Sequence, residues 1–96
     1  MSLYDSAYWA RQDIETERIA QDAKWGIQNH DPITWCAILT EEVGEFARAA
    51  LDAHFGGEAA LGLISEAVQV AAVAQAIVEC AFRNHWREFV EEGARL

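Results

Sequence analysis

The sequence predicts an all-α fold, with residues 1–96 forming a single domain. Three observations favour this prediction. The chain contains one proline, Pro32, and most of its six glycines stand where helices would end. Hydrophobic residues make up 52% of the chain, which is too many for a disordered acidic segment. The stretch from Val68 to Val78 is apolar on every face, which is typical of a helix buried on all sides.

The first predicted helix runs from about Leu3 to Lys24. It is mostly polar and has a thin apolar stripe, so we expect it to pack as an outer helix. Asp5 or Ser6 is the predicted N-cap, because short polar side chains accept hydrogen bonds from the first helical N–H groups. Gly26 is the predicted end of the helix, because glycine adopts the conformations that follow a helix.

The second predicted helix follows a loop that contains Pro32. This proline disfavours helical geometry at Asp31, so Thr34 is the predicted N-cap. We expect the helix to reach about Ala53 and to stop at residues 55–57, which read Phe-Gly-Gly.

The third predicted helix begins near Glu58 and continues at least to Phe82. Asn84 or His85 marks a break, and a short helix is predicted over residues 86–93. A monomer of this length has few helices with which to surround the third one. The sequence therefore predicts a helical bundle completed by homo-oligomerisation, as a homodimer or homotetramer. The residues expected near the subunit contacts are Val70, Val73, Ala74 and Ile77.

The charge and the cysteines limit the classes of function. Sixteen acidic residues against seven basic ones give a net charge of −9, which disfavours nucleic-acid binding. Cys36 and Cys80 show no paired spacing, so both are expected to be free, buried thiols. No signal peptide opens the chain, and the apolar run around Val68 to Val78 contains two glutamines and is too short to span a bilayer. A cytoplasmic location without membrane contact is the expectation.

Side chains with carboxylate or amide oxygens recur at one-turn spacing in two of the predicted helices. Glu42 and Glu45 lie beside the apolar face of the second helix, and Glu66 and Gln69 repeat this spacing in the third. Antiparallel packing of the two helices would bring the pairs face to face. Carboxylates gathered in a medium of low dielectric constant need protons, bases or cations, and Mg²⁺ prefers such oxygen ligands. The alternative is a solvated helix face, on which such glutamates are common.

These residues resemble a known motif. The all-α nucleoside-triphosphate pyrophosphatases, which include MazG-like enzymes, carry E-E-x-x-E, a spacer of some twenty residues, and E-x-x-D. Here residues 41–45 read EEVGE and residues 66–69 read EAVQ. Two flanking segments are also similar to the family, KWGIQNH at 24–30 and ILT at 38–40, and VQVAAVA at 68–74 resembles a MazG-like subgroup in particular. Gln69 departs from the pattern, because the family has an aspartate there.

The resemblance implies a MazG-like helical fold and Mg²⁺-dependent hydrolysis of a nucleoside triphosphate to a monophosphate and pyrophosphate, with Mn²⁺ able to replace Mg²⁺. It implies that Glu42, Glu45, Glu66 and Gln69 hold the metal, with the Gln69 amide oxygen as a neutral ligand. Glu41 is either the general base that activates the attacking water or a solvated carboxylate.

The loop before the second helix is the predicted place for the base. Trp25 stacks on it in this interpretation, while Gln28, Asn29 and His30 hydrogen-bond its edge; a core tryptophan and ordinary loop side chains are the alternative. Side chains for phosphate contact on a later helix are limited to Arg83, Asn84, His85 and Arg87.

Two other classes of function stay open from the sequence. One is a catalytically degenerate oligomerisation or regulatory module of the same fold, in which Gln69 marks lost chemistry. The other is an acidic interaction protein whose glutamates are solvated.

Overall fold

A computed structural model describes residues 1–57 and 60–86 of the chain. These residues form three helices and no strand: α1 (Leu3–Trp25), α2 (Pro32–His54) and α3 (Ala60–Arg83). The all-α prediction is confirmed for this part of the chain. The helix predicted over 86–93 lies, beyond its first residue, outside the described residues.

The helix α1 begins at Leu3 as predicted, but its N-cap lies about one turn before the predicted Asp5 or Ser6. Ser2 is the N-cap, and its hydroxyl accepts a hydrogen bond from the Asp5 N–H at 3.1 Å. Asp5 lies instead in the first turn, where its negative charge is favourable at the positive end of the helix dipole. Gly26 ends the helix as predicted: it has a φ of 71°, and its N–H donates to the Asp22 carbonyl at 2.8 Å.

The start of α2 also corrects the predicted cap. Asp31, in extended geometry, is the N-cap, and its carboxylate accepts from the Thr34 N–H at 2.7 Å. Pro32 occupies the first turn, where its missing N–H costs nothing because that position has no acceptor within the helix. Thr34, the predicted cap, is therefore inside the helix. The end of α2 at His54, with Phe55 as C-cap, agrees with the prediction.

The helix α3 lies between the other two, and among the described residues α1 and α2 contact α3 but not each other. Trp35, near the start of α2, belongs to the same apolar cluster as Val73, Ala76 and Cys80, near the end of α3. The two helices are therefore antiparallel. The cysteines are both free, and Cys80 is buried as predicted, whereas Cys36 is exposed.

The contact between α1 and α3 is polar. Arg18, only 7% exposed, donates from Nε and Nη2 to the two carboxylate oxygens of Glu79 at 3.0 and 2.9 Å. The same guanidinium donates to Asp22 and Gln21 of its own helix, both at 3.0 Å. The Arg18 guanidinium lowers the pKa of the Glu79 carboxyl to about 2, mainly through these hydrogen bonds. The mostly exposed α1 is thus the outer helix that the sequence predicted, held by a bidentate ion pair.

One side of α3 is open within a single chain. Its apolar residues recur every three or four positions, as in helices that pack against another helix: Ile64, Ala67, Ala71, Ala74, Val78 and Phe82. All except Ala71 are exposed, and we call these six residues the open face of α3. The expectation that α3 is buried all round is therefore not met within one chain. Val73, predicted near the subunit contacts, lies on the opposite side in the core.

The α3 segment Gly62–Arg83 has the length and apolar composition needed to cross a membrane. The apolar run from Val68 to Val78 is too short to span a bilayer, but the helix extends beyond it in both directions. A core helix of a soluble protein has the same length and composition, so these properties are weak grounds for a membrane location.

The Arg18–Glu79 pair gives a prediction for stability against pH. Because the folded-state pKa of Glu79 is depressed from 4.5, the pair stabilises the fold above about pH 4.5 and loses this effect as the pH falls towards 2. Glu79→Gln should lower the free energy of unfolding at pH 7 by about 1–2 kcal/mol, since the glutamate side chain is 36% exposed and partly screened. Urea unfolding followed by circular dichroism at pH 7 and pH 3 measures this.

The control is Glu15→Gln on the exposed side of α1. It removes the same charge without breaking an ion pair. An equal effect of the two substitutions at pH 7, or a Glu79→Gln effect that persists unchanged at pH 3, would contradict the prediction.

Candidate metal centre

Three carboxylates from two helices meet beside the core. Glu42 and Glu45 come from α2 and Glu66 from α3, and one oxygen from each lies within 4.8 Å of the others. The antiparallel packing of α2 on α3 brings them together, as the one-turn spacing in the sequence predicted. Hard divalent cations bind to such groups of oxygens.

The cluster carries negative charge that the protein leaves uncompensated. Glu42 Oε2 and Glu66 Oε2 are buried and have no hydrogen-bond partner among the described residues. Burial raises the pKa of the Glu42 carboxyl, and the negative charges of Glu45, Glu66, Glu41 and Glu17 raise it further. A buried, unpartnered anionic oxygen is costly, so the donor set fits a cation that the cluster would surround.

Arg48 is the basic residue nearest to this cluster in the sequence. It lines an open groove together with Glu45, Asp52 and Glu66, and it forms no ion pair with any described residue. The cluster is therefore not neutralised by an internal salt bridge within the described chain.

A pocket of about 290 Å³ lies next to Glu42, between all three helices. Its walls combine aromatic, apolar, amide and acidic side chains: Gln21, Trp25, Gln28, Trp35, Ile38, Glu41, Glu42, Gln69, Val73 and Ala76. We call it the three-helix pocket. Five residues that the sequence assigned to metal, catalysis or substrate line it together: Trp25, Gln28, Glu41, Glu42 and Gln69.

His30 is not among the residues that line the three-helix pocket. Its ring packs edge-on against Trp35, with ring centroids 4.9 Å apart, and its Nε2 is buried. The structure therefore places this predicted substrate ligand in the packing around the core tryptophan, because the loop folds inward at the start of α2.

The loop before α2 is fixed by the end of α3. Arg83 donates to the Asn29 side-chain oxygen at 3.1 Å and to the Gln28 carbonyl at 3.0 Å. Asn84 donates to the same Asn29 oxygen at 3.0 Å. Arg83 and Asn84, considered for phosphate contact, thus hold the loop, and Asn29 is engaged with them; Arg87 lies outside the described residues.

Five residues of the pocket wall were not assigned to the site from the sequence: Gln21, Trp35, Ile38, Val73 and Ala76. Gln21 lies one turn before Trp25 on α1, and this four-residue spacing could have placed both on the same face. Trp35 is only 2% exposed and belongs to the apolar core cluster, yet it also forms part of the wall of the three-helix pocket.

We found no match to this chain among protein-family models, curated proteins or solved structures. The likeness to the MazG-like enzymes consequently rests on the residues quoted above.

The raised pKa of Glu42 predicts a gain in stability on removing this carboxylate. In chelator, protonation of Glu42 is more favourable in the folded state than in the unfolded state. The protonated carboxyl therefore contributes to the free energy of unfolding below about pH 4.5, and this contribution is lost as the pH rises through the elevated pKa. Glu42→Gln should therefore melt at a higher temperature than the wild type at pH 7, by about 4–8 °C for each 1 kcal/mol of repulsion relieved. Near pH 4 the difference should shrink.

Thermal melts with EDTA and with Mg²⁺ measure both effects. Added Mg²⁺ should raise the melting temperature of the wild type and raise that of Glu42→Gln less, because one negative charge among the metal ligands is gone. The exposed substitution Glu15→Gln is the control for charge. Identical Mg²⁺-induced shifts in wild type and Glu42→Gln would show that Glu42 does not contact the metal.

Proposed function

We propose that this chain is a Mg²⁺-dependent nucleoside-triphosphate pyrophosphohydrolase that clears non-standard or surplus nucleotides. The observation that supports it most is the position of the carboxylate cluster. Glu42 belongs both to this cluster and to the wall of the three-helix pocket. One continuous site thus offers cation ligands for a triphosphate and an aromatic pocket for the nucleoside.

In this proposal Glu42, Glu45 and Glu66 hold Mg²⁺, and the amide oxygen of Gln69 is a neutral candidate ligand in the adjoining pocket wall. The two buried, unpartnered oxygens of Glu42 and Glu66 are the feature that a cation would satisfy. When bound, the ion would neutralise the phosphates and polarise the phosphorus under attack. Mn²⁺, with similar ligand preferences, would replace it.

Glu41 has the position expected of a general base. It is exposed and lines the three-helix pocket beside Glu42. In the proposed reaction a water oxygen bonds to the α-phosphorus, and its proton passes to the Glu41 carboxylate. The bond between the α-phosphorus and the bridging oxygen breaks, which yields a nucleoside monophosphate and pyrophosphate.

The other end of the pocket suits a base. Trp25 is 55% exposed, so its ring is accessible for stacking, and Gln28 lies in the same wall. The Gln28 carbonyl accepts from Arg83, which fixes the backbone and leaves the side-chain amide for hydrogen bonds to a ligand. This supports the assignment of Trp25 and Gln28, but not His30, to substrate binding.

We further propose that the enzyme is a homodimer or homotetramer in the cytoplasm. The open face of α3 supports the assembly, since Ile64, Val78 and Phe82 are each more than half exposed. A second copy that packs against this stripe would bury the apolar surface that a single chain exposes. The free, exposed Cys36 is compatible with a reducing compartment.

The enzymatic proposal predicts pyrophosphate release from at least one nucleoside triphosphate. The test is a screen of standard and modified NTPs and dNTPs with Mg²⁺ that measures pyrophosphate and phosphate separately. Glu45→Gln should reduce turnover by about a hundredfold, because it replaces an anionic metal ligand by a neutral amide. Glu15→Gln should retain wild-type turnover.

The screen also separates the other classes of function. A degenerate relative would bind Mg²⁺ at the cluster and release no pyrophosphate. A solvated acidic surface would bind Mg²⁺ no more tightly than scattered carboxylates, and Glu45→Gln would leave this binding unchanged. Either result contradicts the enzymatic proposal.

The assembly predicts a molecular mass of at least two chains in light scattering at micromolar concentration. Val78→Glu should shift the protein towards the monomer, because it places a charge within the open face of α3. Leu3→Glu introduces the same charge at a position that is 89% exposed near the N-terminus and should leave the mass unchanged. A monomeric wild type would contradict this part of the proposal.

A further inference from the structure

Gln21 is a buried polar residue in the wall of the three-helix pocket. It is 7% exposed, and together with Arg18 it is one of two buried polar or charged residues in the described chain. Its Oε1 accepts from Arg18 Nη1 at 3.0 Å. Arginine has donors only, so the amide oxygen must face the guanidinium and the amide NH₂ must face away from it.

The orientation of the Gln21 amide is fixed by Arg18, which other side chains hold in place. Arg18 is itself held by both carboxylate oxygens of Glu79 and by Asp22. Rotation of the Gln21 amide by 180° would point its N–H groups at a guanidinium that has no acceptor. The orientation is therefore set by the same ion pair that joins α1 to α3.

The amide NH₂ of Gln21 has no partner in the described protein, where its hydrogen bond uses Oε1 alone. The nitrogen of this NH₂ is not fully buried from solvent. Gln21 lines the three-helix pocket, and its NH₂ is the unpartnered polar group that this side chain can offer there. A polar group in such a place needs a partner from water or from a ligand, because leaving its hydrogen bonds unmade is unfavourable.

We propose that Gln21, oriented by Arg18, is a specificity residue that donates a hydrogen bond to an acceptor on the nucleobase. The acceptor is a carbonyl oxygen or an unprotonated ring nitrogen. This inference rests on the proposed function and deepens it. Gln21 lies one turn from Trp25 on α1, so the ring that stacks on the base and the donor that reads its edge belong to the same wall.

The decisive variant is Gln21→Glu. A carboxylate keeps the acceptor for Arg18 and adds opposite charge to that contact, but it has no N–H to donate into the pocket. Gln21→Met, which has neither donor nor charge, is the second variant. Gln12→Glu on the exposed surface of α1 adds the same charge outside the pocket and serves as the control.

The probes are the α,β-methylene analogues of ATP, GTP, CTP and UTP, which resist cleavage between the α- and β-phosphates, and inorganic tripolyphosphate, which has no base. Binding is measured by calorimetry on the full chain with Mg²⁺. Both Gln21 variants should weaken the binding of the analogue that the wild type prefers by about tenfold or more, since an enzyme site built to donate a hydrogen bond discriminates strongly. The affinity for Mg²⁺-tripolyphosphate should stay within about twofold of the wild type.

The outcomes are distinct. Unchanged analogue binding in both variants overturns the role of Gln21 while the proposed function stands. An equal loss for tripolyphosphate also overturns it, because the effect would then be one of charge or folding. A wild type that binds tripolyphosphate but none of the analogues overturns a base-reading pocket, and one that binds neither overturns the proposed function as well.

Discussion

The ion pair between Arg18 and Glu79 determines how the first helix sits on the rest of the molecule. The two residues are 61 positions apart, and each makes its part of the contact from a different helix. Because α1 has few buried apolar side chains, this polar contact supplies the specific geometry that its thin apolar stripe does not. The position of Trp25 and Gln21 in the three-helix pocket depends on it.

The carboxylate cluster shows the opposite balance of charge. Around Arg18 each charged group has a partner, whereas Glu42 and Glu66 keep buried oxygens without one. Packing of α2 on α3 holds these like charges together at a cost in stability, which is common where a site is arranged for a ligand. The carboxylate cluster and the ion pair use opposite ends of the same helix, with Glu66 near the start of α3 and Glu79 near its end.

The helix α3 combines three environments. Val73 and Ala76 face the core with α2, Glu79 faces α1, and the stripe from Ile64 to Phe82 is open. On a helix of 3.6 residues per turn 180° separates Val73 from Ile64, and the described residues cover the Val73 side and leave the Ile64 side exposed. The helix α3 thus contributes one side to the small core of the chain and offers the other side to the proposed assembly.

The sequence by itself determined the elements that depend on neighbours along the chain. The all-α class and the end of α1 at Gly26 follow from composition and local geometry, and the common face of Glu42 and Glu45 follows from the helical period. The caps at Ser2 and Asp31 were missed by a few residues because several short polar side chains compete at each helix start.

Tertiary structure alone decided what depends on contacts across the chain. The periodicity of α3 could not show which side is open, because every face is apolar and only the packed partners distinguish them. His30 and Gln21 illustrate the same limit: the histidine ring packs edge-on against Trp35, and Arg18 holds the amide oxygen of Gln21. The sequence contains both residues, but their orientation is set by side chains that come close only in the folded protein.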